Sequence, residues 1–109
     1  MIRIDAIVPQ NDINAISNGL KKIQVGGITI IKARGRGKKP AAPLHAAKGT
    51  ETFVPEFTDK FILTVIVEPK DENEVVSIIR SHTKIGKIFM YELHRAVDIA
   101  TGMENEKAI

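Results

Sequence analysis

The chain has 109 residues, 43% hydrophobic and 27% charged, the size and make-up of one ordinary globular domain. It has no cysteine, which removes thiol catalysis, disulfides and thiolate metal sites and fits an intracellular, cytoplasmic protein. The formal net charge of +3 falls well short of the dense basic tracts of dedicated nucleic-acid binders, so no nucleic acid is expected as a partner.

Ile2 to Val8 reads as a strand, with Ile2, Ile4, Ala6 and Val8 alternating against Arg3, Asp5 and Ile7. The charges in this segment exclude a signal peptide, and no apolar run is long enough for membrane insertion. Ile7 breaks the polar side, so the second face of the strand is expected to be partly covered. Pro9 ends the run. Asn11 or Asp12 can cap a helix that carries Ile13, Ile16 and Leu20 at helical spacing and Lys21-Lys22 in its last turn. Gly26-Gly27 punctuates, and Ile28 to Arg34 is the second strand.

A soft, basic insert follows, from Gly35 to Gly49. From Arg34 to Lys48 there are five Lys or Arg and no acid. An insert with one Leu, three Gly and two Pro buries little, and long loops in compact domains are functional or disordered. No aromatic residue interleaves with its cations, so it offers no stacking platform for single strands. Phe53, Phe57 and Phe61 recur every fourth residue, as a short helix or as one face of a loop stem. Lys60 to Val67 is the strand richest in β-branched residues, and Pro69 stops it. Asp71 to Glu74 opens a second, acid-led helix with Val75, Ile78 and Ile79 as its apolar stripe. After Gly86, Lys87 to Leu93 is the fourth strand, and Ala96 to Ile99 is a short fifth element. From Asp98 onward there are three acids against one lysine.

The order is β-α-β-loop-β-α-β, an α+β ferredoxin-like βαββαβ sandwich with two helices on one face of a four-stranded antiparallel sheet. Covering the other face is simplest with further copies of the chain. The three histidines, His45, His82 and His94, match no short metal-ligand motif. The acids form no evident general acid–base pair, and Ser17, Ser77 and Ser81 sit in helix-like segments without a nucleophile elbow. No enzyme is read from this pattern.

Four segments then carry a resemblance: Ile4-Asp5-Ala6-Ile7-Val8, Lys32-Ala33-Arg34-Gly35-Arg36-Gly37-Lys38, Lys84-Ile85-Gly86-Lys87-Ile88-Phe89, and Thr101-Gly102 with Lys107-Ala108-Ile109. In this order and spacing they resemble the PII family of trimeric nitrogen-signalling proteins. The resemblance spans residues 1–109 as a single domain. It implies a T-loop at approximately 37–57, a C-terminal tail at 98–109 and a homotrimer with nucleotide clefts between subunits. Gly35, Gly37 and Lys38 stand where the family's loop base meets nucleotide phosphates. Glycines there let backbone N–H groups approach an anion that a lysine neutralises. Thr29 and Thr64 stand where the family lines an adenine pocket. Gly86 and Lys87 close the family's B-loop, with Lys87 on phosphate. Lys60 matches a lysine used with 2-oxoglutarate carboxylates.

The sequence departs from the family at named positions. The B-loop, Thr83-Lys84-Ile85-Gly86-Lys87, is about three residues short of the family's. Two phosphate-clamping arginines of the family fall at Asp98 and Ala100, and the T-loop glutamine falls at Lys39. The modifiable tyrosine is replaced near Thr52 and Phe53. The expected effector is therefore an adenine nucleotide (ADP, AMP or ATP) or another small anion, without Mg²⁺ or 2-oxoglutarate. The loop, with Lys39, His45, Lys48 and Lys60, would dock on a target such as an ammonium transporter or a nitrogen-assimilation enzyme. The alternative is a constitutive trimeric interaction module that has lost ATP and 2-oxoglutarate sensing.

Overall fold

The computed structural model describes residues 1–38, 44–45, 52–53 and 55–109, the four residues 44, 45, 52 and 53 by backbone alone. Strand β1 (Ile2–Val8) turns Ile4, Ala6 and Val8 into the core and Arg3, Asp5 and Ile7 to the opposite face, as period-two alternation requires. Pro9 has no N–H to continue the ladder. A 3₁₀ turn (Gln10–Asp12) links the strand to α1 (Ile13–Lys22). The same device recurs in the second half of the chain, where a 3₁₀ turn (Pro69–Asp71) leads into α2 (Glu72–His82). The side-chain cap expected at the start of α1 is not made. Asp12 and Asp71 occupy the N-cap positions in right-handed helical conformation and cap nothing with their side chains. Their N–H groups instead close the 3₁₀ turns, Asp12 onto the Pro9 carbonyl at 3.1 Å and Asp71 onto the Glu68 carbonyl at 3.0 Å.

Helix α1 ends in a Schellman motif. The Val25 N–H donates to the Leu20 carbonyl and the Gln24 N–H to the Lys21 carbonyl, both at 3.0 Å, with Gln24 left-handed at φ 67°. The stop therefore comes two residues before the Gly26-Gly27 pair. Strand β2 (Thr29–Gly35) follows. The insert contains a two-residue ladder, β3 (Leu44–His45) with β4 (Thr52–Phe53). Strand β5 (Thr58–Val67) returns to the body, and β6 (Lys87–Glu92) closes it.

The four long strands form one antiparallel sheet in the order β2-β5-β1-β6. Both helices lie on one face. Ile16 and Leu20 of α1 and Val75 and Ile79 of α2 are buried against Ile4, Ala6, Leu63 and Val65 of the two central strands. This is the expected ferredoxin-like α+β sandwich. Helix crossing is close at Gly19, where an added methyl would come within 2.8 Å of Ile78 Cγ2. Phe53 and Phe61 lie in strands and Phe57 in a bend, so the alternative of a short helix over these residues is not realised. The fifth element is also different from expectation. Ala96–Ile99 forms no strand, and Val97 makes a single bridge to Glu104. Asp98 Oδ1 accepts the N–H groups of Ala100 (2.9 Å) and Thr101 (3.0 Å). A side chain that grips its own backbone two and three residues on favours a turn over extension.

Candidate functional site at one end of the sheet

The registers place the candidate residues. On the face away from the helices, Thr29, Thr64, Asp5 and Phe89 form one lateral row. Ile31, Ile62, Ile7 and Lys87 form the next. Ala33 and Lys60 face each other beyond that, and Gly35 pairs with Thr58 at the end of the ladder. Thr29 and Thr64 are thus direct partners near the middle of the open face. Gly35 and Lys60 stand at one end of it. A methyl at Gly35 would come within 3.3 Å of Lys60 Cγ, so glycine leaves room for that stem to lie across the ladder's end.

Gly86 and Lys87 lie at the same end of the sheet but on the opposite edge. β2 and β6 are the two outer strands, roughly 14 Å apart at about 4.8 Å per strand. Gly86 has φ +125°, and a methyl there would overlap the Ile7 carbonyl oxygen, so this position requires glycine. It aims Lys87 from the edge of the sheet. One chain therefore brings together Thr29 with Thr64, and Gly35 with Lys60. It does not bring the Gly35–Lys38 segment to Gly86 and Lys87.

The base of the insert is held by charge. The Arg36 guanidinium donates to Glu56 Oε1 at 2.9 Å and lies over the Phe57 ring, 6.0 Å from its centroid. Lys32 approaches Asp59 at 3.4 Å. Lys38 and Lys87 are exposed and pair with no acid among the described residues. Lys39 and Lys48 lie outside the described residues, and of His45 only the backbone is described. Among the described residues no group of three His, Asp or Glu side chains is arranged to hold a metal ion, and no helix is long and apolar enough to cross a membrane.

The centre of the open face holds a polar cluster that sequence reading missed. Asp5 is 8% exposed. Its Oδ1 accepts from Thr64 Oγ1 at 2.7 Å and from Arg3 Nε at 3.0 Å. Burial alone would push the Asp5 carboxyl up, but hydrogen bonds from Arg3 and Thr64 and the Arg3 charge hold it below its ordinary value. Arg3 in turn lies over the Tyr91 ring at 5.6 Å. Thr64, expected to line a nucleotide pocket, thus commits its hydroxyl proton to Asp5. The partners are 59 residues apart, and only the β1–β5 register reveals them. Around this cluster Ile31, Phe89 and Tyr91 remain 50%, 45% and 50% exposed.

Asp98, on the tail, faces its own turn. Hydrogen bonds from Thr101, and then from Ala100, hold its carboxyl below the ordinary value against the opposing effect of burial. Beyond it, Glu104 pairs with Arg95 through Nε at 2.6 Å and through the second guanidinium nitrogen.

The architecture is that of a small βαββαβ module with a long insert at one end of its sheet. The family profile described as nitrogen regulatory protein P-II matches residues 1–103, and the chain belongs to that family, whose members are signalling regulators and not enzymes. It is 31% identical to the nitrogen regulatory protein P-II of Haemophilus influenzae over 114 aligned residues, covering 100% of both chains. It is 30% identical to nitrogen regulatory protein P-II 1 of Escherichia coli K12, again over 100% of both. Among solved structures, that of Bacillus subtilis GlnK superposes with a TM-score of 0.78 at 20% identity, covering 99% of this chain and 97% of that one. That likeness carries the fold.

Proposed function

We propose that this chain is a trimeric, cytoplasmic signal-transduction protein that regulates nitrogen-metabolism enzymes or transporters through the segment at about 37–57. Residues 1–109 form a single domain, and the tail at 98–109 of a neighbouring copy would border the site. The observation that carries the reading is that two segments bearing glycine and lysine lie at one end of the sheet on opposite edges. Gly35, Gly37 and Lys38 leave β2 there, and Gly86 and Lys87 enter β6 there. Each segment has exposed cations and glycine backbone, and within one chain the two stand on opposite edges of the sheet. Three copies packed through their open faces would set the β2 edge of one against the β6 edge of the next.

The residues fit an adenine nucleotide with few phosphates. When bound, the nucleotide supplies negative charge that joins two subunits. Lys38 and Lys87 would neutralise that charge, and backbone N–H groups of the Gly35–Lys38 segment would approach it. Thr29, and the oxygen of Thr64, would face the base. Asp98, whose negative charge stands where the family carries arginine, disfavours a triphosphate with Mg²⁺. Lys60, whose stem crosses Gly35, ties this end to the insert. Binding shifts the insert only as far as the nucleotide's affinity differs between its two arrangements. Lys39, His45 and Lys48 would meet the target protein, an ammonium transporter or nitrogen-assimilation enzyme.

Calorimetry against ATP, ADP, AMP, cyclic nucleotides and 2-oxoglutarate tests the effector. Binding of ADP or AMP that is lost in a Lys87→Ala variant supports it, and binding by none of them overturns it. The commitment of the Asp98 carboxylate to its own turn favours a second reading, a constitutive interaction trimer without a ligand switch. Target capture by the unliganded trimer, with no thermal shift from any nucleotide, selects that reading.

A further inference from the structure

The row that crosses the middle of the open face holds two threonines of unequal freedom. Thr29 and Thr64 are direct cross-strand partners, so their side chains stand side by side on one face, about 5 Å apart at Cβ. Thr29 is exposed. Its hydroxyl makes no hydrogen bond among the described residues, so it can turn to donate or to accept. Thr64 has lost that choice. Its hydroxyl proton goes to Asp5 Oδ1 at 2.7 Å, which leaves only lone pairs for anything laid against it.

Asp5 is the group that removes the choice. An ionised carboxylate accepts and has no proton to return. The Arg3 guanidinium donates to the same oxygen at 3.0 Å and lies over the Tyr91 ring, so the acceptor is held in place from β1 and β6 together. At 8% exposure it meets little water that could compete for the Thr64 proton. With an apolar residue at position 5, the Thr64 hydroxyl would turn as freely as that of Thr29.

The neighbouring rows suit a flat ring. Ile31 and Ile62 lie one row toward Lys87, and Ile66 lies one row the other way, all on the open face. A purine between these apolar rows would turn its 6-position edge to the two hydroxyls. Adenine carries an amino donor there, beside a ring nitrogen that accepts. Hypoxanthine and guanine carry a carbonyl oxygen, beside a ring N–H. Thr29 adapts to either ring nitrogen, but Thr64 serves only the amino group. A 6-oxo purine would meet Thr64 oxygen against oxygen, and polar groups left unpaired away from water are costly.

We propose that Asp5 is a positioning residue for the choice of base. By taking the Thr64 hydroxyl proton it fixes Thr64 as an acceptor, so the site admits a 6-amino purine and rejects a 6-oxo purine. This rests on the nucleotide site proposed above and adds to it the group that selects the base.

Calorimetry of the full chain with ADP and inosine diphosphate tests it. The two nucleotides share sugar and phosphates, so contacts at Lys38 and Lys87 cancel in the ratio of their dissociation constants. The native chain should bind ADP about tenfold or more tightly than inosine diphosphate. In Asp5→Ala the Thr64 hydroxyl is released, and the ratio should fall toward one because inosine diphosphate binds more tightly. A damaged fold would weaken both nucleotides and would not produce that gain. Asp5→Asn keeps an oxygen where Thr64 and Arg3 point, and should retain the native ratio. Thr64→Val keeps the shape of the side chain without its hydroxyl, and should lose the ratio by weakening ADP. A native ratio near one, or a native ratio preserved in Asp5→Ala, overturns the role of Asp5 and leaves the nucleotide site standing. Should circular dichroism show Asp5→Ala unfolded, Thr64→Val decides, and an unchanged ratio there overturns the proposal. Binding of neither nucleotide to the native chain overturns the site and the inference together.

Discussion

Gly86 shows how much one backbone position decides. Its φ of +125° and its contact with the Ile7 carbonyl leave no space for a side chain. Gly86→Ala should cost on the order of 3 kcal/mol or more, combining left-handed strain with a backbone clash, read as a lowered denaturant midpoint. Asp5 decides a different property. Its carboxyl is held below the ordinary value by Arg3 and Thr64, so the folded state favours the ionised form. The stability this contributes is present above the unfolded carboxylate range, near pH 4. It is lost as pH falls through the lower folded value. Acid unfolding of an Asp5→Asn variant should therefore be less steep below pH 4 than that of the native chain. Equal steepness in the two proteins would show that Asp5 contributes nothing to acid sensitivity. Nothing local in Arg3-Ile4-Asp5 marked this cluster, because its third member comes from β5 and its aromatic neighbour from β6.

At the scale of elements, the end of α1 offers the sharpest test. The Schellman position is filled by Gln24 at φ 67°, where glycine carries no Cβ penalty. Gln24→Gly should stabilise the protein by about 0.5–1 kcal/mol, measured by thermal or denaturant unfolding. A loss of stability would mean that the Gln24 side chain makes a contribution its backbone conformation hides. The long elements were legible because alternation in Ile2–Val8 and helical spacing in Ile13, Ile16 and Leu20 each point to one face of one core. The ends were less legible. Pro9 and Pro69 were read as stops, whereas each also sets up a 3₁₀ turn whose N–H bond replaces the cap expected of Asp12. Ala96–Ile99 has strand-like composition, but the two N–H bonds of Asp98 outweigh it. The candidate glycines and lysines were picked out by the family resemblance. Their separation to opposite edges was not, because strand order is a property of the whole sheet.

At the scale of the molecule, the open face is the dominant unsatisfied surface. Ile31, Phe89 and Tyr91 stand about half exposed around a buried carboxylate cluster, an arrangement suited to close packing against copies of itself. Tyr91→Glu would place a second anion beside Asp5 and remove the ring beneath Arg3. Light scattering should then show monomers at concentrations where the native chain is trimeric, while far-ultraviolet circular dichroism stays native because Tyr91 lies outside the helix-side core. A trimer that survives this substitution would require another face for assembly. Loss of the helical signal would instead show that the open face is needed for folding itself.

The clasp at the base of the insert has an evolutionary consequence. The β2–β5 ladder ends at Gly35 and Thr58, and the Arg36–Glu56 pair fastens the chain just beyond. Residues beyond that fastening can be lengthened, shortened or exchanged with little penalty to the sandwich, since doubling a closed loop costs only about 0.6 kcal/mol. The clasp would thus let the segment proposed as the docking arm be rewritten without rebuilding the sandwich that carries it.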